Sequence, residues 1–141
     1  MARVDFYILS QSGEQARQVF ACRLAEKAYR LDNTVHIQAP DRATAQHLDD
    51  LLWTFRDGSF VPHQLAGSAA QDDSPVTVGY DDGPAGPRDL LINLCDNVPG
   101  CAQGFPRIAE LVTSDEDSKQ KSRQRFAAYR DQGHELETHE I

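Results

Sequence analysis

Val4-Asp5-Phe6-Tyr7-Ile8-Leu9 is a β-prone run closed by the turn Ser10-Gln11-Ser12-Gly13, and from Glu14 to about Arg30 the residues Ala16, Val19, Phe20, Leu24, Ala28 and Leu31 recur at helical spacing. Asp32-Asn33 stops that helix, and Thr34-Val35-His36-Ile37-Gln38 is a second short strand. Ala39-Pro40-Asp41 then leads into a helix carrying Leu48, Leu51, Leu52 and Trp53. Strand, helix, strand, helix in this order predicts an α/β fold with a mostly parallel, Rossmann-like sheet flanked by helices.

Further along, Val76-Thr77-Val78-Gly79-Tyr80 and Leu90-Leu91-Ile92-Asn93-Leu94 read as strands, separated by the turn-rich residues 81–87. Residues 105–112 fit either a short helix or a last strand. Ser114 as N-cap, acids in the first turn and Gly133 as a stop then delimit a basic helix. Residues from about 134 to 141 read as a polar C-terminal tail of a single domain spanning 1–141.

The chain has 141 residues, 40% of them hydrophobic, which suffices for one core without disulfides or a metal. Three cysteines cannot all pair within the chain, so a reducing, cytoplasmic setting is expected. Met1 runs directly into the first strand without signal-peptide features, and no apolar run approaches a membrane span.

The first turn, Ser-Gln-Ser-Gly-Glu, lacks both G-x-G-x-x-G and G-x-x-x-x-G-K-[ST], so a phosphate cradle is not expected. No G-x-S-x-G elbow surrounds Ser10, Ser12 or Ser59, and Cys22 on a helix reads as core. Cys95 and Cys101 lack zinc-knuckle spacing; neither metal nor cofactor is expected. His36 is expected to face outward from its strand, His63 to be a hydrogen-bonded loop residue, and His134 and His139 to be solvated.

Recognition is what remains. In a chain of formal net charge −8, which repels nucleic acid, Lys119, Lys121, Arg123, Arg125 and Arg130 cluster with Phe126 and Tyr129. At about 100° per residue, Lys119, Arg123, Phe126 and Arg130 share one face within roughly 60°, suited to an acidic peptide with an apolar tip. Lys121 and Arg125 point away and are expected to be solvated; a wholly solvated charged face is the plainer alternative for the helix. Trp53 and Phe60 are candidate interface anchors, with Phe55 and Leu65 nearer to core.

Taken in order, Phe6-Tyr7-Ile8-Leu9, Leu52-Trp53, Ser59-Phe60-Val61-Pro62-His63-Gln64-Leu65-Ala66-Gly67, Arg88-Asp89-Leu90-Leu91-Ile92-Asn93-Leu94 and Arg123-Gln124-Arg125-Phe126-Ala127-Ala128-Tyr129-Arg130 resemble the chi subunit of bacterial DNA polymerase III, a clamp-loader accessory protein, over almost the whole chain. The resemblance implies an α/β fold without a nucleotide site, no enzymatic activity, and an adaptor that binds the psi subunit and the acidic C-terminal tail of single-stranded DNA-binding protein. The tail site it implies matches Val112, Lys119, Arg123 and Phe126, to which helical geometry adds Arg130. The psi site it implies matches Trp53 and Phe60, supported by Val61 and Pro62. A helicase-like protein is a further partner implied for that patch. Ala127 departs from the family pattern, where a basic residue can occur, and predicts weaker tail binding. A small α/β enzyme or nucleotide binder without recognised motifs is the alternative reading, and direct binding of nucleic acid is not expected.

Overall fold

The computed structural model describes residues 2–55, 61–65, 74–80 and 88–141. Strands β1 (Arg3–Ile8), β2 (Val35–Gln38), β3 (His63–Leu65), β4 (Val76–Gly79), β5 (Leu90–Asn93), β6 (Arg107–Val112) and β7 (Glu135–Glu140) form one sheet. Helices α1 (Glu14–Arg30), α2 (Arg42–Thr54) and α3 (Glu116–Asp131) connect them, with a short 3-10 helix at Gly100–Gly104. The sheet order is β3-β4-β2-β5-β6-β1-β7 and every pair is parallel. The expected α/β architecture is therefore present. No described helix is long and apolar enough to cross a membrane.

Strand alternation divides the core in two. On one face Val35, Ile37, Val76, Val78, Leu90, Ile92 and Leu111 pack against Ala21, Cys22 and Ala25 of α1 and Ala45, Leu48 and Leu52 of α2. On the other, Val4, Phe6, Leu91, Ile108 and Val112 meet Ala102, Phe105 and the α3 residues Tyr129 and Phe126. Thus the neighbouring strands β1 and β6 send their helices to opposite faces, which makes the crevice between their C-terminal ends the switch point of the sheet.

One open alternative is resolved and two sequence expectations change. Residues 107–112 are a strand, because Ile108, Glu110 and Val112 alternate toward α3 while Ala109 and Leu111 face α1. The segment read as a polar tail pairs with β1 along its length as β7, in register Phe6↔Thr138 and Ile8↔Glu140. Finally, His36 is fully buried: its Nδ1 lies 2.7 Å from Thr77 Oγ1 and its Nε2 2.8 Å from Gln38 Oε1, partners that satisfy a polar ring inside the second face.

Candidate functional site

Helix α3 starts with Glu116 and Asp117 and ends near Arg130, charges that suit the helix dipole. Its N-cap is Asp115 rather than Ser114, yet the Asp115 side chain makes no cap bond. Instead, Ser118 Oγ accepts the Thr113 N–H at 3.1 Å. At the other end Gly133 adopts φ +85°, a left-handed conformation that favours glycine, and the chain turns directly into β7.

The inward side of α3 is polar, and here one expectation fails. Arg125 is buried, not solvated: its Nε donates to Glu110 Oε1 at 2.8 Å and one terminal nitrogen donates to the Asp96 carbonyl at 3.1 Å. Glu110, midway along β6 and fully buried, also accepts from Tyr129 Oη at 2.6 Å and Asn93 Nδ2 at 2.8 Å. Burial pushes the Glu110 carboxyl above its usual range, while Arg125, Tyr129 and Asn93 oppose that shift. Lys121 remains half-exposed, bridging Asp96 and Asp117 at 3.2 Å each.

The outward side carries the predicted stripe. Arg123 and Phe126, with Ser122, border a groove of about 160 Å³ whose other lining residues are Phe6, Ile8 and Thr138. Phe126 leans on Phe6 with ring centroids 5.3 Å apart. Arg123 is 65% exposed, and its acidic neighbour Glu116 stands 3.7 Å away. Lys119 is exposed one turn before it, and Arg130 lies beyond it, close to Asp131 at 3.8 Å. Val112 is only 1% exposed, so it backs this region from within the core and does not line the groove. Thr138 and the Phe6–Ile8 alternation were missed as site features; the signal was the spacing of Leu136 and Thr138, which gives the last segment a strand's period.

The second predicted patch is partly visible. Trp53 is 51% exposed, at 4.5 Å between ring centroids from His63. Both His63 nitrogens face carbonyls, of Val61 at 2.6 Å and Asp49 at 2.9 Å. Pro62 is half-buried, whereas Val61 is fully buried and can support the patch only from beneath. Phe60 lies outside the described residues.

The crevice at the switch point is where doubly wound folds commonly hold a phosphate. Here Asp115 occupies it from within: one carboxylate oxygen accepts the Gly13 N–H at 3.1 Å and the Thr113 hydroxyl at 2.7 Å. Those two donors hold the Asp115 carboxyl below its usual range. Glu14, Asp96 and Asp117 line the same crevice together with Arg17, Lys121 and Arg125, and each of these cations is already paired with an acid, Arg17 with Glu14, Lys121 with Asp96 and Asp117, and Arg125 with Glu110.

At the β1–β7 edge, Asp5, Glu137 and His139 place ligand-type atoms within 4.8 Å of one another. The Asp5 carboxylate already accepts from Arg3 at 3.2 Å, Arg107 at 3.4 Å and His139 at 2.9 Å. A metal ion would have to displace two guanidinium groups, so the cluster reads as an ion-pair knot that fastens β7 to β1. His139 is accordingly not simply solvated, and His134 accepts the Ala2 N–H at 2.9 Å. Cys22, Cys95 and Cys101 are free thiols, and burial pushes Cys22 up to about 12.

Comparison with known proteins gives concordant matches. The family model described as DNA polymerase III chi subunit, HolC, matches residues 1–137. Proteins named DNA polymerase III subunit chi are similar to the chain at 43% identity in Pseudomonas aeruginosa, covering 100% of this chain and 98% of the relative. The Escherichia coli relative of the same name is 32% identical, covering 98% and 97% respectively. In fold, the crystal structure of T4 UvsW superposes with a TM-score of 0.68 over 99% of this chain and 41% of that one, at 8% identity. The family model's match and these relatives together show that the chain belongs to the family of DNA polymerase III chi subunits, replication accessory proteins.

Proposed function

We propose that the protein is a non-catalytic adaptor, which takes the acidic C-terminal tail of single-stranded DNA-binding protein on the outer side of α3 and the psi subunit on the Trp53 patch. The observation that carries the first half is the pairing of an exposed arginine with an apolar groove: Arg123 and Phe126 stand side by side on its border. An acidic peptide ending in an apolar residue has the complementary chemistry, with a carboxylate for the guanidinium and a side chain for the groove. Because the rest of the chain is anionic, this cationic strip is where such a peptide would be drawn. Lys119 and Arg130 extend the strip along the helix.

For the second half, an exposed tryptophan set against the ring of His63 suits a lasting subunit contact. Occupation of the switch-point crevice by Asp115 speaks against the nucleotide-binding alternative. Fluorescence anisotropy with a labelled acidic peptide ending in Phe tests the tail site: binding is expected for the wild type and loss for Arg123→Ala, and equal binding by both refutes it. For the other surface, Trp53→Ala should fail to co-purify with psi while its circular dichroism stays unchanged. Retained co-purification refutes that assignment.

A further inference from the structure

Among the described residues the exposed large apolar side chains are Trp53, Leu31 at 65% and Ile141 at 59%. The last two stand at opposite ends of one trough, which runs along the side of α1 on the face of the sheet away from α3. At one end Tyr7, Leu24, Lys27, Ala28 and Leu31 border a cavity of about 230 Å³. At the other Ala16, Val19, Phe20, Arg23 and Ile141 border one of about 200 Å³. The rings of Tyr7 and Phe20, with centroids 5.6 Å apart, form the ridge between them. From Ala16 and Phe20 to Leu24 and Ala28 is an advance of eight residues in each case. The cavities therefore lie about 12 Å apart along α1, close to two turns of a helix.

The fold leaves the flank of this trough open. Helix α1 lies over β2, β5 and β6 and α2 over β3 and β4, whereas α3 lies over β6 and β7 on the other face. Parallel sheets are normally covered by helices on both faces. On the α1 face, however, Arg3 and Glu137 of β1 and β7 are exposed and His139 is half-exposed. Two neighbouring strands make a shelf about 10 Å wide, the diameter of one helix. Charge narrows the choice of occupant. Arg23 and Lys27, one turn apart on the rim, are exposed and form no ion pair among the described residues. Asp89, the acidic side chain bordering the larger cavity, is turned to its own chain, accepting the Thr34 N–H at 2.8 Å and the Thr34 hydroxyl at 3.2 Å.

We propose that the trough beside α1 is a further interaction surface, which seats an amphipathic helix of a partner protein. Two large apolar side chains of that helix, two turns apart, fill the cavities, and acidic residues one turn apart face Arg23 and Lys27. The surface shares no residue with the groove beneath α3, and its occupant needs no terminal carboxylate.

The test uses the full chain and labelled helical peptides with amidated C-termini. All carry two leucines two turns apart, flanked in one peptide by a pair of Glu and in a second by a pair of Lys; a third keeps the Glu pair and has Ala in place of both leucines. In fluorescence anisotropy the wild type should prefer the Glu peptide to the Lys peptide by about tenfold, the worth of two exposed ion pairs, and should bind the Ala peptide more weakly than the Glu peptide. Arg23→Glu combined with Lys27→Glu should reverse the charge preference, and Leu31→Ala should weaken both leucine peptides. Arg123→Ala should leave the Glu peptide's affinity unchanged. All of these side chains are exposed, circular dichroism checks each fold, and Lys27→Glu alone carries the charge test should the double variant unfold. Equal binding of the Glu and Lys peptides by the wild type, an unreversed preference in the folded double variant, or loss of the Glu peptide in Arg123→Ala overturns the proposal. A dimer in sedimentation equilibrium that Leu31→Ala dissociates would assign the trough to a second copy of the chain and overturn it as well.

Discussion

Arg123 and Arg125 are two positions apart on one helix and have opposite fates. Arg125 is 3% exposed and joined at 2.8 Å to a buried glutamate, with Tyr129 and Asn93 completing the shell. Arg123 is exposed, beside an apolar groove, and its acidic neighbour Glu116 at 3.7 Å is exposed as well. The first charge has given up water for fixed partners and holds the helix to the sheet; the second keeps its hydration and remains available for exchange. What separates them is Glu110, a carboxylate presented by β6. The role of a basic residue on α3 is thus decided by what the sheet offers beneath it.

The largest effect should come from Arg125→Ala, which leaves Glu110 buried without its cation. Urea unfolding should show a loss of about 3–5 kcal/mol, whereas Arg123→Ala should change stability by no more than about 0.5 kcal/mol. Comparable losses for the two would break the contrast between the sides of α3. In binding the order reverses among folded variants: Arg123→Ala should weaken the acidic peptide by about 2 kcal/mol in anisotropy titrations.

A smaller stability loss, about 1.5 kcal/mol, is expected for Tyr129→Phe, because one hydrogen bond to Glu110 disappears while those from Arg125 and Asn93 stay. An undiminished midpoint in urea would show that Arg125 alone secures the helix. The mildest perturbation is acid. Burial favours the neutral form of Asp5, but His139, Arg3 and Arg107 outweigh it and hold the carboxyl below its usual range. Its contribution is therefore present above about pH 4, the unfolded value, and is lost as pH falls through the lower folded value. The difference in urea stability between the wild type and Asp5→Asn should therefore shrink as pH falls through that range, and a difference independent of pH would show that the Asp5 charge does not fasten β7.

Much of this was legible in the sequence. The bounds of α1 follow from its apolar spacing, the cationic stripe from helical geometry, and the stop at Gly133 from glycine's tolerance of positive φ. Arg125 was misread because a helical wheel contains the helix alone. A glutamate in the middle of Ile108-Ala109-Glu110-Leu111-Val112 was the visible half of the pair, and only tertiary packing matched it to its arginine. β7 was missed for a related reason. Its one strongly apolar residue before Ile141 is Leu136, so composition suggested a solvated tail, while the ion pairs that dock it join residues from opposite ends of the chain.

The position of β1 between β6 and β7 has a kinetic consequence. Its hydrogen-bonding neighbours lie far ahead in the sequence: Asp5 meets Arg107 across 102 positions, and Ala2 meets His134 across 132. During synthesis the strand made first waits unpaired until nearly all the others have emerged, whereas β2, β4 and β5 can assemble sooner around α1 and α2. High contact order of this kind slows the final collapse and leaves a nascent β-prone segment in need of protection. It also means that the groove beneath α3 is among the last parts to form, so a chain able to bind there has completed its sheet.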